Sequence, residues 1–233
     1  MHNRIFEGIT ILDLTKVFSG PIATRYFADW GARVVKIEDP TNPDPARGFP
    51  PLKNGASGYF ELLNRNKESM LLNLKESEDL DKFYELVKSA DVVVENMTPS
   101  VKKKLKVDYQ TLKEINSTMI YASLAGYDQS SNKKCLDVIA QAESGLMSLS
   151  GYGEPVKIGP AVIDAYAGMS LAWAISSALF RREKINEGGQ VNVSMVGMAM
   201  DLLEQNLVEY SIVKKKSTPS RKPGYSPCAF WNL

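Results

Sequence analysis

Three segments decide the fold of this chain: Ile9-Thr10-Ile11-Leu12-Asp13-Leu14, Gly20-Pro21 and Arg33-Val34-Val35-Lys36-Ile37-Glu38. The first and third segments are rich in β-branched residues and predict strands. Gly20-Pro21 opens a helix that runs to about Trp30, because proline is tolerated in a first helical turn, and Gly31 ends it. A strand, a helix and a second strand within forty residues predict a βαβ unit and a parallel sheet.

Later segments continue this alternation of strands and helices. Further strands are predicted at 70–74, 91–96, 119–124 and 191–194, and helices at 77–89, 136–149, 166–184 and 195–213. We therefore expect an α/β chain with a Rossmann-like, doubly wound and mainly parallel sheet over residues 1–213. Residues 214–233 are rich in Lys and Pro and end in an apolar run, which predicts a linker toward a further domain.

Composition excludes several classes of function. The chain has 233 residues, and 28 Lys and Arg against 27 Asp and Glu give a net charge of +1, so neither nucleic acid nor an acidic membrane is an expected partner. Two cysteines and the lack of a signal peptide or membrane-length apolar run predict a cytoplasmic protein. The single histidine, His2, argues against a histidine triad and a histidine metal site, and no metal is expected.

Basic side chains suggest a place for an anionic ligand. Neither GxGxxG nor GxxxxGK[ST] occurs, so no nucleotide-binding glycine motif is present. Lys102-Lys103-Lys104 and Lys106 form a basic cluster after Pro99. A solvated helix face is the commoner origin of such a cluster, and a site for the phosphates of a cofactor is the alternative.

Asp164 lies between apolar residues, just ahead of the helix predicted at 166–184. The pattern alone favours a helix N-cap, and the alternative is a partly buried carboxylate that acts as nucleophile or base. Asp137 and Glu143 are interpreted as solvated or ion-paired rather than as an acid–base pair. Neighbouring lysines could lower the pKa of the Cys135 thiol, but without a histidine base we interpret this residue as structural.

Blocks spread over nearly the whole chain resemble the family III CoA-transferases, the CaiB/BaiF group that includes carnitine and formyl-CoA transferases and 2-methylacyl-CoA racemases. They occur in the family's order: Phe6-Glu7-Gly8-Ile9-Thr10-Ile11-Leu12-Asp13-Leu14, Ser19-Gly20-Pro21, Phe27-Ala28-Asp29-Trp30-Gly31-Ala32-Arg33, Asn64-Arg65-Asn66-Lys67, Ala90-Asp91-Val92-Val93-Val94-Glu95-Asn96, Ala122-Ser123-Leu124-Ala125-Gly126-Tyr127, Asp137-Val138-Ile139-Ala140-Gln141-Ala142 and Gly188-Gly189-Gln190-Val191.

The resemblance implies the large domain of such an enzyme and gives Asp164 the role of catalytic nucleophile. The implied reaction moves CoA from an acyl-CoA donor to a free carboxylic acid, through a mixed anhydride and an aspartyl-CoA thioester on Asp164. The racemase branch of the family is less favoured, because its histidine falls at or near Leu136 here.

The resemblance also implies where CoA binds. The family's positions that contact CoA are matched here by Lys16, with Val17 and Phe18 beside it, and by Lys104. The family's turn near the pantetheine arm is matched by Ala125-Gly126-Tyr127. Two positions depart from the family: Phe18 stands where some transferases have a polar residue, and Asp39 where a basic residue is common.

Members of the family usually run to around four hundred residues and form an interlocked homodimer. The resemblance therefore implies a homodimer or a complementing chain, and it leaves as an alternative a truncated or partner-dependent CoA-binding homologue without independent activity.

Overall fold

The protein is built on one parallel sheet. The computed structural model describes residues 4–151 and 153–213, so His2, Cys228 and the predicted linker lie outside the described residues. Six strands form the sheet in the order β5-β2-β1-β6-β7-β8, all parallel to their neighbours, and two short strands form a separate antiparallel hairpin. The strands are β1 (Thr10–Asp13), β2 (Arg33–Glu38), β3 (Leu52–Lys53), β4 (Ala56–Ser57), β5 (Glu68–Leu71), β6 (Val92–Glu95), β7 (Ile120–Ala125) and β8 (Gly189–Ser194).

Helices cover both faces of this sheet, which confirms the predicted doubly wound α/β fold. They are α1 (Ser19–Asp29), α2 (Gly58–Asn64), α3 (Ser77–Val87), α4 (Pro99–Lys104), α5 (Tyr109–Ile115), α6 (Asp137–Glu143), α7 (Leu146–Ser150), α8 (Val162–Ile185), α9 (Met195–Asp201) and α10 (Glu204–Val213), with a short 3-10 helix at Pro45–Gly48.

Alternate strand residues divide the apolar interior into two cores. Val92 and Val94 of β6 face a core shared with α1, α6, α8 and α9, whereas Val93 faces a core shared with α3 and α5. Side chains alternate between the faces of a strand, so a strand buried on both sides has apolar residues at every position. This explains why the continuous valine run of β6 and the β-branched run of β2 were readable from sequence.

Three strands end in an acidic residue that is paired with a basic side chain from a later segment. Asp13 ends β1 and meets Lys67 at 2.9 Å, and Glu95 ends β6 and meets Lys102 at 2.9 Å. Glu38 ends β2 and meets Arg47 at 2.6 Å. Because all three carboxylates are buried, these ion pairs hold the segments that carry the three basic residues against the carboxyl edge of the sheet.

The structure corrects the predicted bounds of several elements. The helix predicted at 136–149 is two helices, α6 and α7, because Gly145 between them adopts a left-handed φ of 85°. The helix predicted at 195–213 is likewise broken, between α9 and α10. The strand predicted at 70–74 begins earlier, as β5, and the residues after it turn toward the next helix.

Helices α1 and α8 pack unusually closely because of Gly168. A Cβ atom at Gly168 would overlap the Ile22 side chain and lie 2.6 Å from the carbonyl oxygen of Ser19. Within the described ranges, α8 is the one helix long and apolar enough to cross a membrane. Its residues Ile163 and Leu171 are fully buried in the core shared with α1, so this packing accounts for part of the apolar composition of α8.

Candidate active site

A cavity of about 680 Å³ lies where the parallel strands end. Its wall is formed by segments that follow β1, β2, β5, β6 and β7 and by the first turn of α8. β1 and β6 are adjacent, and the sheet is extended in opposite directions from them, so this is the switch point at which doubly wound sheets bind ligands. The cavity brings together every predicted site residue except Tyr127: Lys16, Val17, Phe18, Lys104, Ala125, Gly126 and Asp164.

The turn after β1 is held by side chains from two other loops. Asn96 accepts from the Lys16 amide at 3.0 Å and donates to the Lys16 carbonyl at 2.8 Å. Both carboxylate oxygens of Asp44 accept from the Val17 amide, at 3.1 and 3.2 Å. These bonds fix Val17 at a φ of 73°, a left-handed conformation that costs a β-branched residue about 1–3 kcal/mol. The turn is therefore strained and tightly specified.

The lysines of the cavity differ in how they are bonded. Lys16 Nζ donates to the carbonyl oxygens of Asn42 and Pro43, at 2.6 and 3.3 Å. Lys75 pairs with Asp39 at 3.1 Å, and Lys104 is exposed and has no hydrogen bond or ion pair within the described ranges. Lys102 is instead buried against Glu95, so two lysines of the basic cluster differ: Lys102 is in a buried ion pair, and Lys104 on the same helix lines the cavity.

Asp164 is the third residue of α8 and its side chain reaches the cavity. The helix is capped at Ala161 without a side-chain hydrogen bond, so the interpretation of Asp164 as an N-cap is wrong. The reason is that α8 begins at Val162, four residues before the sequence pattern places it. The Oδ1 atom of Asp164 accepts a hydrogen bond from the Ser19 hydroxyl, at the start of α1.

Asp137, on α6, supplies the cap that α8 lacks. Its Oδ1 atom accepts hydrogen bonds from the backbone amides of Ile163, at 2.8 Å, and Asp164, at 3.3 Å, while Oδ2 accepts from Gln141 at 2.7 Å. Lys157 lies 3.9 Å from the same carboxylate. Asp137 is thus a buried, hydrogen-bonded anion rather than a solvated one.

Burial raises the pKa of Asp164 to about 6, and the negative charge of Asp137 adds to this rise. The Ser19 hydrogen bond and the positive charge of Lys157 act in the opposite direction. A carboxylate with this pKa is mostly ionised near pH 7, yet it is less fully solvated than a surface carboxylate. The arrangement suits a nucleophile that faces a cavity.

Two further aromatic rings pack beside Phe18, which lines the cavity. The Tyr59 ring lies 5.8 Å from that of Phe18 and 5.5 Å from that of Phe49, centroid to centroid. Burial, together with the charges of Asp164 and Asp44, raises the pKa of Tyr59 to about 12. The Tyr59 hydroxyl therefore stays protonated at neutral pH and is available as a hydrogen-bond donor.

The turn after β7 approaches Cys135 closely. A Cβ atom at Gly126 would overlap the Cys135 side chain and lie 3.2 Å from its amide nitrogen, so only glycine fits there. Burial raises the pKa of Cys135 to about 11, so the expected effect of the neighbouring lysines on this thiol is outweighed. Tyr127 is not among the lining residues, and its hydroxyl donates to Glu143 at 2.7 Å.

Metal ligation finds no support in the part of the chain that the structure describes. Within residues 4–151 and 153–213, no group of three or more His, Cys, Asp or Glu side chains is arranged to hold a metal ion. The polar groups that line the cavity include lysines, the carboxylates of Asp39 and Asp164, asparagine amides and hydroxyls.

A sequence profile described as CoA-transferase family III matches residues 6–231. The chain belongs to CoA-transferase family III. Among its family III relatives, an acetyl-CoA:oxalate CoA-transferase of Acetobacter aceti is 38% identical over 216 residues, which make up 90% of this chain and 56% of that protein. A succinyl-CoA:glutarate CoA-transferase of Mus musculus is 36% identical, over 91% of this chain and 50% of that protein.

Solved structures agree with this family III assignment. The crystal structure of a CaiB/BaiF family protein from Brucella suis matches with a TM-score of 0.86 and 29% identity, over 91% of this chain and 59% of that chain. The family and fold predictions are thereby confirmed. The chain spans between half and three fifths of the length of these relatives, and its division at residue 213 stays a prediction.

Sequence reasoning missed several residues of this family III site. Ser19, which lines the cavity, was part of a quoted motif without a role. Tyr59, whose ring packs against that of the cavity residue Phe18, lies on α2, which was not predicted. Lys75 also lines the cavity. It directly follows the strand predicted at 70–74, so a search for basic residues at the ends of predicted strands would have found it.

Proposed function

We propose that this protein transfers CoA from an acyl-CoA donor to a free carboxylic acid, with Asp164 as the nucleophile. One observation carries the proposal: the Asp164 carboxylate, unpaired with any cation at hydrogen-bond distance in the described ranges, lines the same cavity as Lys16 and Lys104. The relatives' names, acetyl-CoA:oxalate and succinyl-CoA:glutarate CoA-transferase, describe the same class of reaction.

The chemistry follows from the position of the carboxylate. Asp164 attacks the carbonyl carbon of the donor thioester, a C–O bond forms, the C–S bond breaks, and CoA leaves as a thiolate. The thiolate then attacks the Asp164 carbonyl carbon of the mixed anhydride, which releases the donor acid and leaves an aspartyl-CoA thioester. The acceptor carboxylate then attacks this thioester, which gives a second mixed anhydride and a free CoA thiolate. The thiolate attacks the acyl carbon that came from the acceptor, which forms the new acyl-CoA and regenerates the Asp164 carboxylate.

The cavity fits a ligand with anionic and apolar parts. Its volume of about 680 Å³ is within the usual range for small-molecule sites. Positive charge for the phosphates comes from four lysines that line the cavity, Lys75, Lys104, Lys133 and Lys134. Apolar and backbone contacts for the pantetheine arm and acyl group come from Val17, Phe18 and the Ala125-Gly126 turn. Tyr127 is retained as a predicted contact to ligand atoms that extend beyond the cavity.

A partner completes the site in this proposal. Met169, Trp173 and Phe180 lie along one stripe of α8 and are exposed by 55%, 78% and 66%. Such a stripe suits a second copy of the chain or a complementing chain. It also favours the alternative in which this chain binds CoA but turns over only with its partner.

Racemisation is disfavoured by the cavity itself. Proton transfer at an α-carbon needs an acid–base group on each face of the substrate. Leu136, which stands where the racemase histidine falls, is 62% exposed, lines the cavity and cannot exchange a proton. We therefore place this chain with the transferases of the family.

Intact-protein mass spectrometry after incubation with a panel of acyl-CoAs tests the proposal. A hydroxylamine-sensitive adduct on the wild type, and none on Asp164→Asn, is expected. An adduct of equal yield on Asp164→Asn would refute the role of Asp164. If the folded wild type forms no adduct with any donor, but does so on addition of a full-length relative as partner, the partner-dependent alternative is supported.

CoA binding is tested separately from turnover. Calorimetric titration with CoA should show weaker binding for Lys104→Ala, because Lys104 lines the cavity. Lys103→Ala is the matched control, since Lys103 is an exposed lysine of the same helix that does not line the cavity. Equal affinity of the two variants would place the phosphates elsewhere.

A further inference from the structure

Ser19 and Asp164 are held together by the packing of two helices. Ser19 begins α1 and is only 4% exposed, and its hydroxyl donates to the Oδ1 atom of Asp164 near the start of α8. One turn further along α8, Gly168 lets the carbonyl of Ser19 approach closely. The serine hydroxyl therefore meets the carboxylate from a fixed direction.

The two oxygens of Asp164 are not equivalent in this arrangement. Oδ1 accepts from Ser19, whereas Oδ2 has no hydrogen-bond partner among residues 4–151 and 153–213. Since Asp164 lines the cavity, an unbonded oxygen is available to a ligand there.

We propose that Ser19 is a positioning residue for CoA transfer, which holds Oδ1 of Asp164 so that Oδ2 is the oxygen that attacks the thioester. The inference rests on the proposed function and adds a residue to it. A neutral hydroxyl suits this task, because it orients the carboxylate without neutralising its charge as a lysine or arginine would.

The same bond acts in the second step. In the mixed anhydride, Oδ2 bridges to the donor acyl carbon and Oδ1 is the carbonyl oxygen of Asp164. When the CoA thiolate attacks that carbonyl carbon, the C–S bond forms and negative charge collects on Oδ1. The Cγ–Oδ2 bond then breaks, and the donor acid leaves with Oδ2. The Ser19 hydroxyl points at the oxygen on which this charge develops, as an oxyanion donor does.

Other charged and titratable groups around Asp164 set its behaviour together with Ser19. Asp137 on α6 raises the pKa of Asp164, whereas Lys157, from the loop ahead of α8, lowers it. The negative charge of Asp164 in turn contributes to the raised pKa of Tyr59 on α2 and of Cys135, just ahead of α6. Loss of the Ser19 hydroxyl removes a contribution that opposes the effect of burial, so the pKa of Asp164 should rise.

Carbon-13 NMR of the Asp164 carboxyl group tests this inference without requiring turnover. In aspartate-labelled protein the resonance is assigned by its disappearance in Asp164→Asn, and its pH midpoint is expected to be higher in Ser19→Ala than in the wild type. Ser19→Thr, which keeps a hydroxyl, should restore the midpoint. Ser130→Ala is the matched control, because it removes a hydroxyl from a different carboxylate, that of Asp128. An unchanged midpoint in Ser19→Ala would overturn the inference.

Adduct formation gives the second readout. Ser19→Ala is expected to form the aspartyl-CoA thioester, the adduct of the second step that is recognised by its mass, about 100-fold more slowly than the wild type, the loss typical of one oxyanion donor. A wild-type rate in Ser19→Ala would refute the role of Ser19 while leaving that of Asp164 intact. Absence of any adduct on the wild type, with or without a full-length relative, would refute the proposed function, and the NMR midpoint would still decide whether Ser19 holds the carboxylate.

Discussion

The carboxylate of Asp137 caps the helix that carries Asp164, since its Oδ1 atom accepts a hydrogen bond from the Asp164 amide at 3.3 Å. A single buried anion thus fixes the backbone of Asp164 and, by its charge, adds to the rise in the pKa of the same residue. Stability and reactivity of the site are coupled through this one contact.

Removing the Asp137 carboxylate should destabilise the protein. Asp137→Ala leaves the first amides of α8 without their acceptor, and we expect a loss of about 1–2 kcal/mol, as for other helix caps. Urea denaturation measures the loss. Asp128→Ala is the control, because Asp128 is exposed and its carboxylate bonds only within its own loop. Equal stability of the two variants would show that the cap contributes nothing.

Replacing Asp164, the proposed nucleophile, should stabilise the protein in a pH-dependent manner. The pKa of Asp164 is raised to about 6 by burial, so its protonated form is favoured in the folded state and the associated stability is lost as pH rises through 6. We expect Asp164→Asn to be about 1–2 kcal/mol more stable than the wild type at pH 8, a figure reduced for partial exposure.

The gain from Asp164→Asn should shrink as pH falls from 8 to 5. Urea denaturation at both pH values, with Asp81→Asn of exposed Asp81 as control, measures the difference. A gain that is the same at pH 5 and pH 8 would contradict a raised pKa for Asp164.

The buried pair of Lys67 and Asp13 should be needed for folding. Lys67→Met leaves the buried Asp13 carboxylate without its ion-pair partner at 2.9 Å, and we expect a loss of about 3–5 kcal/mol. Lys82→Met, which removes an exposed lysine from a surface pair with Asp79, should change stability little. Thermal unfolding of both variants provides the comparison.

Acid should reduce the advantage of the wild type over Lys67→Met. Burial alone would raise the pKa of Asp13, but the charges of Lys67 and Lys36 and the Thr15 hydrogen bond outweigh it and hold that pKa well below its usual value. The stability that Asp13 contributes is therefore present above about pH 4 and is lost as pH falls below it. A difference between wild type and variant that stays constant down to pH 3 would count against this account.

Asp39 should weaken the binding of CoA. Its carboxylate lines the cavity and pairs with Lys75, and the Thr41 and Lys75 hydrogen bonds hold its pKa at about 2. Asp39→Asn removes an anion and frees Lys75, so we expect CoA to bind about two- to fivefold more tightly. Calorimetric titration at low and high salt measures the change, with Asp81→Asn as control. Weaker binding to Asp39→Asn would show that Asp39 itself contacts the ligand.

The strands of the sheet were largely accessible from sequence because the central ones are buried on both faces. The apolar runs of β1, β2, β6 and β7 have no polar alternation that could be confused with a helix. The small helix α2, which carries Tyr59, was missed because it has only seven residues and too few turns for a periodic pattern.

The site was accessible only in part, for a physical reason. Asp164 and Lys16 were assigned to the site through the resemblance to the family, but the role of Asp137 depends on amides that lie 26 and 27 residues further along the chain. Ser19 acts on a carboxylate 145 residues away. Contacts of this range are set by helix packing, which no local pattern contains.

The close approach of α1 and α8 at Gly168 limits how this sequence can change over time. The contact of a side chain at position 168 with Ile22 could be relieved by a smaller residue at position 22, but its contact with the backbone carbonyl of Ser19 could not be relieved by any substitution elsewhere. Position 168 therefore has no compensating partner. A lineage that keeps this helix pair at this distance must inherit glycine there.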